Sequence, residues 1–132
     1  MNDTTAIQQH AIDQALAVMD AHIVALNAHD RDALAATLHF PHYRISGVEV
    51  KIWPTQEQYF DDFLARAGGE WSYSRFNDIR VVQASPYKVH LDAEILRFRA
   101  DHSLLNQFRS LWVLTLDDGV WAARFRSSFA GK

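Results

Sequence analysis

Apolar residues at Ile12, Leu16, Met19, Ile23 and Leu26 are spaced by four, three, four and three, which lays them on one face of a helix running from Ile7 to Asn27. The segment "AHD" at 28–30 interrupts that pattern, and Asp30 is placed to cap a second, short helix through Leu34 and Leu38. Pro41 is expected to stop this helix. It removes an amide donor and biases Phe40 toward an extended backbone, so "HYRISGVEVKIW" reads as a hairpin turning near Ser46 and Gly47. "PTQEQYFDDFLARAGG" predicts a third helix. Thr55 and Gln58 form a capping box, Tyr59, Phe60, Phe63 and Leu64 supply the apolar face, and Gly68 and Gly69 provide the stop.

Beyond Glu70 the period falls to about two. "WSYSRFNDIRVVQ", "YKVHLDAEILRFRAD", "SLLNQFRSLWVLTL" and "VWAARFRSSFA" read as four antiparallel strands, joined at "ASP" (84–86), "DHS" (101–103) and "DDG" (117–119). Gly119 suits the left-handed position of a three-residue hairpin, which would pair Leu116 with Val120, Trp112 with Arg124 and Ser110 with Arg126. Three N-terminal helices gathered on a curved, mainly antiparallel sheet make an α+β domain, a cone with an internal cavity. The strands carry large residues on both alternations, so the outer sheet face is expected to be covered as well, most simply by a second copy in a homodimer.

Composition narrows the function classes. A chain of 132 residues suits one domain spanning 1–132, and 48% apolar with 22% charged residues is ordinary for a folded protein. The net charge of -3 offers no attraction to nucleic acid or anionic lipid, so small partners are expected. No apolar run approaches the roughly 18 residues that cross a bilayer. The absence of cysteine excludes disulfides and thiolate chemistry, and with the polar N-terminus "MNDTTAIQQHAIDQ" it points to the cytoplasm. No G-x-S-x-G elbow or glycine-rich phosphate loop is present.

"HIVALNAHDRDALAATL" at 22–38 resembles the helix, Asn-Ala-x-Asp link and second helix of the nuclear transport factor 2-like (SnoaL-like, cystatin-like) superfamily, and "LDDGVWAARFRSSF" at 116–129 resembles its closing hairpin, with the Asp-Gly-x-Trp turn. The superfamily includes ketosteroid isomerase and, more distantly from this chain, scytalone dehydratase. The resemblance implies a cavity between helices and sheet, used in many members for cofactor-independent proton transfer on apolar carbonyl compounds. Matched residue by residue, the isomerase's oxygen-binding tyrosine falls on His22, while its general-base aspartate falls near Ser46, where no carboxylate stands. A steroid-isomerase mechanism of that kind therefore loses its proton acceptor.

Several side chains remain as candidates. His39 and His42 flank Pro41 at an odd separation, so in an extended segment they face opposite ways and do not share a metal; no H-E-x-x-H or cysteine pair completes a zinc site. An imidazole at either position could serve as acid or base near neutral pH, or could simply bond a backbone carbonyl. His42 is taken as the cavity-facing acid or base, His22 and Tyr43 as hydrogen-bond donors, and Arg44 or Arg124 as the group that orients an anionic part of a ligand. Trp53, Tyr59 and Trp112 are taken as aromatic walls. His29 reads as a helix-end residue, and His90, Asp92 and Glu94 as an outward stripe able to bridge arginine. Arg97 and Arg99 share the face opposite that stripe, and the patch they form with Arg109, Arg124 and Arg126 could stack an arginine on an indole, hold a carboxylate, or make cross-strand salt bridges. The functional expectation is a small-molecule-binding cavity protein acting, without cofactor or metal, as an isomerase, dehydratase or hydrolase on a small apolar carbonyl or phenolic compound. The alternative is a non-catalytic binding or dimerisation module of the same fold.

Overall fold

The computed structural model describes the backbone of residues 3–67 and 69–130, and the side chains of residues 6–63 and 69–130. In chain order the elements are α1 (Asp3–Ala28), α2 (Arg31–Ala35), β1 (Leu38–Ser46), β2 (Glu49–Trp53), α3 (Gln56–Ala67), β3 (Tyr73–Ala84), β4 (Lys88–Phe98), β5 (Leu104–Asp117) and β6 (Val120–Ser128). This is an α+β architecture with one six-stranded sheet in the order β2-β1-β6-β5-β4-β3. Every neighbouring pair is antiparallel except β1 and β6, which run parallel and make the sheet mixed.

Helix α1 is rotated relative to the stripe read from its largest residues. Its fully buried positions are Ala11, Ala15, Met19, His22 and Ala25, while Leu16 and Leu26 pack at the margin. Three alanines let the helix backbone approach the sheet closely, and the bulkier side chains fill the flanks. The helix ends in a left-handed cap at His29 (φ 56°): His29 N–H donates to Leu26 O at 3.2 Å and Asp30 N–H to Ala25 O at 3.0 Å, the Schellman pattern. Beside it, the Asn27 amide donates to Ser74 O at 2.7 Å and accepts from Ser74 N–H at 2.8 Å, fastening the helix to β3.

Helix α2 is shorter than the pattern predicts. Asp30 caps it as expected, with its carboxylate accepting from Ala33 N–H at 3.1 Å, but the helix stops at Ala35 and Leu38 is already strand. Pro41 is therefore not the stop. It lies inside β1, in the stretch where the pairing with β6 loses regular register, as suits a residue with no N–H for the ladder. In α3 the Thr55 hydroxyl accepts from Gln58 N–H at 3.3 Å, half of the capping box, and Tyr59 and Phe60 are buried. The side chain of Leu64 and the helix-stop residue Gly68 lie outside the described residues.

The closing hairpin departs from the expected register, and the difference changes which arginine faces inward. Asp118 (φ 51°) and Gly119 (φ 77°) both take left-handed backbone, the signature of a two-residue type I′ turn. Asp117 consequently pairs with Val120 and Leu116 with Trp121. A bulge between Val113 and Leu114 then absorbs Arg124 and adds a second one-residue shift, so Trp112 pairs with Arg126 and Ser110 with Ser128. Nothing lies within 4 Å of where a Cβ on Gly119 would stand, so a substitution there is strained through its backbone alone. Gly119→Ala is expected to destabilise the protein by about 1–2 kcal/mol, read as a lower urea midpoint at an unchanged m-value; wild-type stability would show that the turn does not fix this register.

Candidate functional site

Between the helices and the inner sheet face lies a pocket of about 110 Å³. Helix α1 contributes His22 and Leu26, α3 contributes Tyr59 and Phe63, and the sheet contributes Arg44, Phe76, Arg97, Phe108, Ser110, Trp112 and Arg126. Strand parity explains the sheet set. Phe108, Ser110 and Trp112 alternate along β5 and pair with Ile95, Ala93 and Leu91 of β4, all on the face that packs under α1.

Two hydrogen bonds fix the protonation of His22. The Thr37 hydroxyl donates its only proton to Leu34 O at 2.7 Å, so its oxygen accepts from His22 Nδ1–H at 2.8 Å. Burial, then the Arg126 charge, then His42 push the His22 pKa down to about 3. The ring is therefore neutral at pH 7, with its proton on Nδ1 and a lone pair on Nε2. It packs edge-on against Trp112 at 5.0 Å between centroids, and the buried Trp112 Nε1–H has no hydrogen-bond partner among the described residues. The pocket thus offers one neutral acceptor and one indole donor within an aromatic wall. Arg126 stacks over the Trp112 ring at 5.0 Å from its centroid, and Arg44 donates to Ser46 Oγ at 3.4 Å.

His22, Arg44, Tyr59 and Trp112, singled out from the sequence, line this one pocket. The others do not. His42 is fully buried behind it: Nδ1–H donates to Ala123 O at 3.0 Å, and the ring stacks on Trp53 and meets the edge of Tyr59. Tyr59, and not His42, presents the surface to the pocket. The Trp53 indole N–H donates to Asp62 at 3.0 Å, away from the pocket. Tyr43 follows the opposite parity from Arg44 and pairs with Ile52 and Phe125 on the outer face. Arg124 sits in the bulge, where it donates to Pro41 O and Asp117, both at 2.9 Å, so the sheet-borne arginine expected there is Arg126. Arg97 also lines the pocket; its parity with Leu91 and Ala93 was visible in the sequence, whereas Arg126 required the bulge.

The outer face uses its charges differently. Arg109 donates to Asp92 at 2.9 Å and to Asp78 at 3.4 Å, and Glu94 accepts from Asn77, so the His90–Asp92–Glu94 stripe is an outward salt-bridging surface. His39 also points outward, donating to Thr115 O at 3.0 Å. Hydrogen bonds from Thr115 and Arg124 hold the Asp117 carboxyl below its usual range. Among the described residues no group of three histidines or carboxylates converges as a metal site, and no described helix is long and apolar enough to cross a membrane.

No protein-family model and no curated protein matches the sequence. Solved structures do match the fold. A nuclear transport factor 2-like protein from Shewanella oneidensis superposes with a TM-score of 0.74 at 15% identity, covering 90% of this chain and 98% of its own. One from Cytophaga hutchinsonii gives 0.69 at 22% identity over 94% and 98%. A provisionally assigned ketosteroid isomerase from Shewanella frigidimarina gives 0.68 at 12% identity over 87% and 94%. The chain has the nuclear transport factor 2-like, cystatin-like fold.

The buried His22 makes a specific pH prediction. Its folded pKa lies below that of the unfolded chain, so between about pH 6.5 and pH 3 the unfolded state binds the additional proton and stability falls as pH falls. Urea unfolding from pH 7 to pH 4 should show a loss with a slope approaching about 1.4 kcal/mol per pH unit that is absent from His22→Gln. Parallel curves for the two proteins would refute the neutral buried imidazole.

Proposed function

We propose that the protein binds a small, mainly apolar phenolic or carbonyl compound in the pocket beneath α1. The observation that carries this reading is the pairing of a neutral His22 Nε2 acceptor with the Trp112 Nε1–H donor inside an aromatic wall. A phenol hydroxyl matches the acceptor and a carbonyl oxygen matches the donor. Size limits the ligand: about 110 Å³ is comparable to the ~150 Å³ cavity that holds one benzene molecule, so a single ring suits the space and a steroid does not.

Binding is better supported than turnover. The described lining contains no carboxylate, and an imidazole with a pKa near 3 is a poor proton acceptor at neutral pH. The fold is shared with the provisionally assigned ketosteroid isomerase, but the isomerase's kind of base has no counterpart among the described lining residues. A non-catalytic binding module is therefore favoured over an isomerase, and His42 is assigned a packing role behind Tyr59.

The test is a thermal-shift screen against phenols, enones and aryl ketones, with tryptophan emission as a second signal because Trp71 and Trp112 line the pocket. A ligand at a hundred times its Kd adds about 2.7 kcal/mol, several degrees in Tm. Ser110→Leu, which fills the pocket from its floor, should abolish the shift; an undiminished shift would place the ligand elsewhere and overturn the assignment.

A homodimer through the outer sheet face accompanies this reading. Its support is an apolar edge: Val50 and Ile52 of β2 are 63% and 54% exposed, and they pair with Ile45 and Tyr43 on that face. Sedimentation should give twice the chain mass for the wild type and the chain mass for Val50→Glu/Ile52→Glu; a monomeric wild type would refute the dimer.

A further inference from the structure

Leu26 and Phe63 border two cavities at once. One is the pocket beneath α1; the other, of about 130 Å³, is lined further by Leu34 and Phe60 and by the exposed residues His29, Asp30 and Arg31. Side chains that border both spaces stand between them, and both are held in place. Leu26 O accepts from His29 N–H at 3.2 Å in the helix cap, and the next residue, Asn27, is bonded twice to Ser74, which anchors this turn of α1 to β3. The Phe63 ring stacks on Tyr59 at 6.3 Å between centroids and meets Trp71 edge-on at 6.1 Å, while the Trp71 indole N–H donates to Ser74 Oγ at 2.8 Å. Displacing the Phe63 ring would forfeit both aromatic contacts, so the partition is a fixed wall and not a swinging gate.

We propose that Leu26 and Phe63 are the specificity-determining residues of the pocket beneath α1: they confine its occupant to a single ring with a short substituent and shut off the second pocket, whose apolar side chains suit an alkyl chain. The inference rests on the small-molecule pocket proposed above and adds what limits the length of the occupant. His22 and Leu26 stand one turn apart on α1 and neighbour each other on one helix face. A ring whose hydroxyl donates to His22 Nε2 therefore lies alongside Leu26, and a substituent directed toward the C-terminal end of the helix meets the wall. Beyond it, the buried side chains of Leu34 and Phe60 offer a methylene chain the cover from water that drives apolar binding.

The test measures 3- and 4-alkylphenols, from methyl to pentyl, by calorimetry at pH 7.5 on the intact chain. The wild type is expected to bind the methyl compounds and to bind the pentyl compounds about 10-fold more weakly, the cost of forcing carbon into a filled space. Leu26→Ala, which keeps a strong helix former at that position, should reverse the trend in at least one series, with a gain of up to about 4-fold per added methylene. Leu26→Ala/Leu34→Phe should lose that gain, because the phenyl ring fills the second pocket from its other side. Undiminished affinity of the wild type for the pentyl compounds, an unchanged length profile in folded Leu26→Ala, or a gain that survives Leu34→Phe would each overturn the inference while leaving the pocket assignment intact. No binding of any phenol to either the wild type or Leu26→Ala would overturn both readings. Should Leu26→Ala fail to fold, Phe63→Leu shortens the other half of the wall and is expected to give the same reversal; should neither fold, the wild-type length profile decides alone.

Discussion

The pairing of β5 with β6 determines which side chains the pocket receives. A strand places alternate residues on opposite faces, so one residue of slip exchanges the inner and outer sets. Here two one-residue displacements, one at the Asp118–Gly119 turn and one at the bulge around Arg124, add to an even shift. Arg126 arrives opposite Trp112, Ser128 opposite Ser110, and Arg124 is left to brace Pro41 and Asp117. The parallel partner β1 follows, because Arg44 and Ser46 take their positions from Arg126 and Ser128.

The polar groups at the helix side are held with the same economy. Thr37, at the point where α2 gives way to β1, spends its proton on Leu34 O and so orients His22 from α1. One hydroxyl ties two helices and dictates a tautomer. Burial and the neighbouring guanidinium keep that imidazole neutral, which makes it an acceptor where a cationic ring would have been a donor. The sheet brings arginine side chains to the pocket and the helix brings a neutral acceptor.

Much of this architecture was legible in the sequence. The order of helices and strands, the Asp30 cap and the Thr55–Gln58 turn follow from periodicity and capping chemistry, and the outward stripe His90–Asp92–Glu94 follows from its buried neighbours Leu91 and Ala93. The parts that were not legible involve register and rotation. The buried face of α1 is lined by Ala11, Ala15 and Ala25, whose small side chains contribute little to a hydrophobic pattern and much to close approach. The bulge at Arg124 has no glycine or other marker, and without it the arginine facing Trp112 is misassigned. His42 looked available because its segment is polar, yet Trp53 and Tyr59, distant in sequence, enclose it.

The strand order has a consequence for how the chain comes to be folded. β1 and β2 are made early, but the only sheet edge β1 joins belongs to β6, the last strand in the sequence. The hairpin of β1 and β2 therefore has no sheet to enter until nearly the whole chain exists, while β3, β4 and β5 can pair with sequence neighbours as they appear. The sheet contact that seats this hairpin is thus also among the longest in sequence separation. A chain interrupted before β6 would lack the strand that seats β1, and with it the wall that carries Arg44.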